Sequence, residues 1–243
     1  MIIVIPMAGR GQRFLDEGYR VPKMLIETHG KTLLQWSVDS LPVSLCKCFV
    51  FVGLEEHERG FNLSRRIRQW YAWVPRLEFV FLPAVTGGQA ETVLKARSHI
   101  DPDKPLLIFN IDTAFHSSSL SRALTDQDND GVLGAFLSHE RRFSFAMVND
   151  AGWVTRVAEK DPISEYALTG LYHFRRADDF LEVADDAIRR NERVNGEFYV
   201  APLYNSLIAR GMRFVIDQCD SHSILGTPEE YRTFCASFPS DLG

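Results

Sequence analysis

The chain has 243 residues, 45% of them hydrophobic and 24% charged, an ordinary composition for a soluble globular protein long enough to bury one sizeable core. Its 32 acidic residues outnumber 27 basic ones, a formal charge of −5, so neither nucleic acid nor an anionic membrane surface is an expected partner. No apolar run approaches the roughly 18 residues needed to cross a bilayer, and none of Cys46, Cys48, Cys219 and Cys235 sits in a C-x-x-C spacing. The expectation is four reduced thiols in a cytoplasmic protein, with Cys46 and Cys48 on one face of a strand.

Strand and helix patterns alternate through the first half. Ile2–Ile5 is a continuous apolar run with no charged segment before it, which predicts a strand covered on both faces rather than a secretion signal. A helix is predicted over Lys31–Leu41, a strand over Cys48–Gly53, a helix over Glu55–Ala72 and a strand over Leu77–Leu82. A helix over Gln89–His99, opened by Gly87-Gly88, and a strand over Leu106–Asn110 follow. The second half reads differently. Short strands are predicted over Gly131–Leu137, Phe143–Val148, Trp153–Ala158 and Leu168–Phe174, with a turn at Asn149-Asp150-Ala151-Gly152. Helices over Ala177–Arg190 and Ala201–Arg210, a strand over Met212–Ile216 and a last helix opened by Thr227-Pro228-Glu229-Glu230 complete the chain. The fold class is α/β, a mixed, mainly parallel sheet flanked by helices with a small antiparallel elaboration, in a single domain over residues 1–243.

The connection after the first strand, Met7-Ala8-Gly9-Arg10-Gly11-Gln12-Arg13-Phe14, has the makings of an anion cradle. Its glycines permit tight turns and close backbone approach. Arg10, Arg13, Arg20 and Lys23 all fall in this one connection, a local excess of cations on an acidic protein that points to a triphosphate. Two other phosphate motifs are excluded. Phe14 stands where a dinucleotide loop needs its third glycine, and Leu25 stands where a Walker loop ending at Gly30-Lys31-Thr32 needs its first.

The residues Gly9-x-Gly11-x-Arg13, then Pro22-Lys23-Met24-Leu25 and Gly30-Lys31, resemble the signature of the sugar-phosphate nucleotidyltransferases, and further matches recur along nearly the whole chain. The resemblance implies a Rossmann-like nucleotidyltransferase fold, with a nucleotide-binding part over about 1–130 and an acceptor-binding part over about 131–243. It implies nucleotide contacts at Ala8, Gly9, Gly11 and Gln89, the last in Gly87-Gly88-Gln89-Ala90-Glu91-Thr92. By the same resemblance Arg13 meets the β- and γ-phosphates, Lys23 meets the α-phosphate, and Asp112 binds Mg²⁺. Glu159-Lys160, Thr169-Gly170-Leu171-Tyr172 and Gly196-Glu197-Phe198-Tyr199 resemble acceptor-binding elements, which assigns Glu159, Lys160, Gly170 and Glu197 to the acceptor. The implied reaction joins an NTP to a phosphorylated small molecule, a sugar 1-phosphate by default, and releases pyrophosphate for surface polysaccharide or glycoconjugate synthesis. A homo-oligomer is compatible with the sequence.

One position departs from the family. Where relatives place a second metal-binding aspartate two residues before Gly226, this chain has Ile224, and Asp217, Asp220 or Glu197 are the candidates to compensate. That departure keeps a non-catalytic nucleotide-binding regulator open as an alternative. A glycosyltransferase using nucleotide-sugars is a further alternative, although Asp101-Pro102-Asp103 precedes its strand and Asp126-Gln127-Asp128 lies in a polar loop. Arg65-Arg66-Ile67-Arg68 reads as a solvated helix face.

Overall fold

A computed structural model describes residues 1–237. Its strands are β1 (Ile2–Pro6), β2 (Glu27–Thr28), β3 (Lys31–Thr32), β4 (Cys48–Leu54), β5 (Leu77–Leu82), β6 (Leu106–Phe109) and β7 (Thr113–His116). These are followed by β8 (Gly131–Leu137), β9 (Ser144–Val148), β10 (Val154–Glu159), β11 (Tyr166–Phe174), β12 (Phe214–Gln218) and β13 (Ser221–Ile224). The α-helices are α1 (Gln12–Asp16), α2 (Leu33–Val38), α3 (Glu55–Phe61), α4 (Leu63–Trp70) and α5 (Gln89–Leu94). After them come α6 (Leu120–Thr125), α7 (Ala177–Arg189), α8 (Tyr204–Ala209) and α9 (Pro228–Ser237).

The apolar run at the N-terminus becomes the middle of a nine-stranded sheet ordered β10-β9-β11-β6-β1-β4-β5, with β8 against β11 and β12 against β8. β1 pairs in parallel with β4 and with β6, Ile2 lying opposite Cys48 and Leu106. The two-residue period then assigns side chains to two cores. Ile2, Val4, Val50 and Val52 pack on one face, while Ile3, Ile5, Phe49 and Phe51 pack on the other. β11 runs antiparallel to β6 and to β8, and β10 antiparallel to β9. The sheet is therefore mainly parallel, as the sequence predicts, with its reversal at β11.

Several helices are shorter than their apolar patterns predict. The helix expected from Lys31 begins at Leu33, because Lys31-Thr32 first pairs with Glu27-Thr28 through a turn at His29 and Gly30, both at positive φ. Thr32 Oγ1 then accepts from Gln35 N at 3.2 Å, and Gln35 Oε1 accepts from Thr32 N at 3.1 Å, a capping box. The helix expected over 55–72 breaks at Asn62, φ 50°, where the Glu58 carboxylate takes both Ser64 N (2.8 Å) and Ser64 Oγ (2.6 Å). Competition from local side-chain bonds to the backbone ends a helix whose hydrophobic spacing alone would continue. Arg65, Arg66 and Arg68 are exposed on α4, as a solvated face requires. Cys46 and Cys48 do not share a face. Cys46 follows a 3-10 turn and packs with Phe49 and Phe51, whereas Cys48 enters the opposite core. All four cysteines are free, and burial pushes the Cys46 thiol up to about 12 and Cys219 to about 11.

A third, small cluster ties the two ends of the chain together. Phe14, Ile26, Leu33, Leu225 and Phe234 pack with Tyr19, Trp36 and Tyr231 around them. Tyr231 donates to the Glu27 carbonyl at 3.0 Å, and Arg232 pairs with Glu17 at 2.6 Å. The antiparallel pair β7·β13, which periodicity did not reveal, sets Ile224 opposite Thr113 and so brings the chain before α9 beside the end of β6.

His173 on β11 is buried with neither ring nitrogen hydrogen-bonded among the described residues, and burial drives its pKa down to about 3. A folded-state pKa below the unfolded value of about 6.5 means that the unfolded chain takes up the extra proton as pH falls below about 6.5. The stability lost is roughly 1.4 kcal/mol per pH unit down towards the folded pKa. Urea unfolding at pH 7, 6 and 5 checks this: His173→Phe should flatten the decline by about one proton, and an unchanged slope would contradict it.

Candidate active site

The connection after β1 lies over a cleft of about 720 Å³, at the carboxyl ends of β1 and β6. Open α/β sheets place ligands at such ends. Ala8 and Gly9 form part of its wall and Arg13, from α1, reaches into it. Gly11 stands at the N-cap of α1 in the left-handed region, φ 65°, and a Cβ there would press on Lys23 Cβ at 3.1 Å. Gly11 thus makes room for Lys23 beneath the loop and does not itself line the cleft.

Lys23 is held from both directions. It opens a 3-10 turn over Lys23–Leu25 whose Met24 and Leu25 are buried, which anchors its backbone. Its side chain is only 10% exposed and its Nζ lies 2.6 Å from Asp112 Oδ1. Asp112 follows β6, keeps 56% of its side chain exposed, and has its carbonyl fixed by Leu225 N at 2.6 Å. The four cations of the connection do not all converge. Arg10 pairs with Glu56 at 3.4 Å on the surface and Arg20 is exposed outside the cleft, which leaves Arg13 and Lys23 at the site.

The opposite wall comes from the start of α5, the end of β6 and the second half of the chain. Gln89, the first residue of α5, donates its side-chain amide to Asn110 Oδ1. Asn110 in turn lies against Gly170, φ 87°, where a Cβ would meet Asn110 Nδ2 at 2.8 Å. Glycine at 170 is therefore required by both backbone conformation and space. Glu159 ends β10 inside the cleft, where burial raises its carboxyl pKa while the Ser144 hydroxyl and the charge of Lys160 oppose the rise. Lys160 adopts φ 57°, a strained conformation for a non-glycine residue, and donates to Tyr199 Oη at 2.9 Å. Its pKa is raised, first by that bond.

Glu197 is presented by a tight hairpin. Val194 and Glu197 exchange both backbone bonds at 3.0 Å across Asn195-Gly196, both at positive φ. This Asn-Gly turn was a sequence signal for the hairpin that Gly196-Glu197 alone does not convey. The hairpin docks on Gly87-Gly88, Phe198 N donating to Gly87 O and Ala90 N to Phe198 O, each at 2.9 Å.

Every residue assigned from the sequence except Gly11 and Lys23 lines the one cleft, and those two meet beneath it. Neither Asp217 nor Asp220 takes the place left by Ile224. Asp217 accepts from Ser117 Oγ (2.7 Å) and Ser119 Oγ (2.5 Å), and Asp220 accepts from Ser118 N at 2.8 Å, all outside the cleft. Among the cleft residues to which the sequence assigned no role, Asn110, Arg142 and Glu230 carry polar groups that bear on the site. Arg142 pairs with both Glu140 and Glu230 and covers the Phe143 ring at 4.6 Å. Only tertiary contact brings a loop arginine and an α9 glutamate together, and no local pattern encodes it.

The Gly88 position provides a direct check on how the two walls are joined. A Cβ there would lie 2.6 Å from the Phe198 carbonyl oxygen, with φ at 148°. Gly88→Ala should cost about 2–3 kcal/mol in chemical denaturation, and hydrogen exchange should accelerate at Phe198 and Ala90. Wild-type stability together with unchanged exchange would contradict this docking.

The sequence matches the family described as the MobA-like NTP transferase domain over residues 3–221. The UTP–glucose-1-phosphate uridylyltransferase AglF of Haloferax volcanii is 27% identical over 240 residues, covering 95% of this chain and 93% of that protein. A crystal structure of the nucleoside-diphosphate-sugar pyrophosphorylase from Vibrio cholerae RC9 is 33% identical, with a TM-score of 0.84 over 96% of this chain and 99% of that one. The inositol-1-phosphate CTP transferase from T. maritima shares the fold at 16% identity, with a TM-score of 0.74 over 94% and 90% of the two chains. The chain belongs to the MobA-like NTP transferase family and is a nucleotidyltransferase resembling the NDP-sugar pyrophosphorylases.

Proposed function

We propose that the protein condenses an NTP with a sugar 1-phosphate, giving an NDP-sugar and pyrophosphate. The observation that carries this reading is the 2.6 Å pair between Lys23, beneath the glycine-rich loop, and Asp112, which lines the cleft together with Arg13. The acceptor phosphate is already an oxyanion at neutral pH, so its attack needs no general base. Its oxygen forms a bond to the α-phosphorus, and the bond from that phosphorus to the β-bridging oxygen breaks, its electrons leaving with pyrophosphate. Such transfer depends on positioning and charge neutralisation more than on covalent help from the protein.

Each side chain then has a part. Ala8 and Gly9 offer backbone to the phosphates, Lys23 neutralises the α-phosphate as charge grows there, and Arg13 receives the departing β- and γ-phosphates. Gln89, oriented by Asn110, has an amide suited to a base edge. Lys160 would meet the acceptor phosphate, Glu159 and Glu197 its hydroxyls, and Gly170 lets the sugar approach the backbone.

Asp112 is the residue that would hold Mg²⁺. Its carboxylate fits a hard cation: Lys23 occupies Oδ1, and a half-exposed side chain leaves the second oxygen open to a phosphate-bound ion. Bound there, Mg²⁺ supplies Lewis-acid stabilisation of phosphoryl charge. The Haloferax relative acts, by its name, on UTP and glucose 1-phosphate, which makes these the first pair to assay. The product would serve surface polysaccharide or glycoconjugate synthesis, and a cytoplasmic location fits the supply of NTP.

The test is a pyrophosphate-release assay with each NTP, Mg²⁺ and a panel of sugar phosphates. Release is expected with at least one pair, and Lys23→Ala should lower kcat about 10²–10³-fold, the scale of removing one preorganised charge contact. Nucleotide binding without pyrophosphate from any pair would instead indicate a regulatory binder. Unchanged turnover in Lys23→Ala would remove the mechanism.

A further inference from the structure

We infer that Glu230 is the second carboxylate facing the divalent cation at Asp112, in place of the acidic side chain that Ile224 cannot provide. This rests on the reading of Asp112 as the residue that holds the cation.

Each of the two carboxylates leaves one oxygen unpaired among the described residues. Asp112 gives Oδ1 to Lys23 Nζ at 2.6 Å. Glu230 gives Oε1 to Arg142. The two remaining oxygens converge: a Cβ built on Gly226 would lie 3.2 Å from Glu230 Oε2 and 3.6 Å from Asp112 Oδ2. The space above Gly226 is thus bounded by two carboxylate oxygens, and any side chain at 226 would fill it. Glu230 Oε2 is fully buried with no hydrogen-bond partner among the described residues, and the whole side chain is only 13% exposed. A buried, unpartnered carboxylate oxygen facing a second anion is costly until a cation or a proton arrives. The cleft that both residues line is where the reaction already calls for a cation.

The backbone fixes this convergence. Thr227 Oγ1 accepts from Glu230 N at 3.2 Å, which sets Glu230 in the first turn of α9. Tyr231, the next residue, packs on Phe14 and bonds to Glu27 O, so α9 is clamped to the segment that carries Arg13. The Leu225 N to Asp112 O bond of 2.6 Å holds the strand end of β13 against Asp112. The acidic group then stands on the helix after Gly226 and not on the strand end before it, and faces the space that Asp112 also borders. Mg²⁺ is commonly held by one or two carboxylates plus phosphate oxygens and retains water, so either direct or water-mediated contact serves.

The test uses Mn²⁺ alone as the probe, with binding read from loss of the free-ion EPR signal. Wild-type protein is expected to bind Mn²⁺, and both Glu230→Gln and Asp112→Asn should weaken that affinity tenfold or more. Glu229→Gln, an exposed neighbour in the same helical turn, should match wild type. Thermal unfolding of each variant verifies that it is folded, and Glu230→Asp, with its carboxylate withdrawn, serves if Glu230→Gln is not. Affinity within twofold of wild type in the folded Glu230 variant would overturn the inference, as would no wild-type binding at millimolar Mn²⁺. Metal binding lost in Asp112→Asn but intact in Glu230→Gln would sink this inference and leave the nucleotidyltransferase reading standing. Pyrophosphate release that fails with every substrate pair would sink that reading instead.

Discussion

The ammonium of Lys23 is nearly removed from water and, among the described residues, is paired with one carboxylate, and the rest of the site is arranged around that constraint. Burial of Met24 and Leu25 fixes the lysine's backbone, and Gly11 clears the space through which its side chain passes. Asp112 can meet it only because β1 and β6 pair in parallel and in register, bringing the ends of distant segments together. A buried charge is tolerated when paired, and this pairing leaves the other Asp112 oxygen available. Substrate phosphates entering the cleft would therefore meet charges whose positions are already fixed, the condition under which electrostatic stabilisation is most effective.

The opposite wall depends on the reversal of the sheet at β11. Gly170 lies within this strand at positive φ, so the strand bends against Asn110 and opens a surface that a regular ladder would close. The register of β11 against β8 shifts between Leu168 and Tyr172, across that same glycine. Glu159 and Lys160 arrive from the neighbouring hairpin, one carboxyl pushed towards its neutral form by burial and one lysine kept charged. A sugar phosphate offers both hydroxyls and an anion, and this pair is suited to both.

Much of this was legible in the sequence because it is local. The continuous apolar run at Ile2–Ile5, the glycines after it, and the strand ending before Asp112 report burial and backbone freedom directly. Helix limits were less legible. Glu58 capping Ser64 and the His29-Gly30 turn override hydrophobic spacing through single side-chain bonds that periodicity does not register. The pairing of β7 with β13 was illegible because its two strands are short and lie far apart in the chain. The same holds for Glu230, which reads locally as an acidic residue opening a helix and acquires its place only through the third apolar cluster. At Ile224 the sequence exposed a missing group, and folding was needed to bring other candidates near or remove them. Asp217 and Asp220 are taken up by serines.

The central claim is that the paired charges of Lys23 and Asp112 face the phosphorus that changes partners. The most direct measurement runs the reaction backwards. Radiolabelled pyrophosphate is supplied with UDP-glucose and Mg²⁺, and the nucleotide pool is examined for label. The account predicts label in UTP at a rate that Lys23→Met lowers by about two orders of magnitude, with glucose 1-phosphate formed in equal amount. Label absent from UTP and from the NTP of every other NDP-sugar tried, or incorporation that does not depend on Lys23, would contradict it.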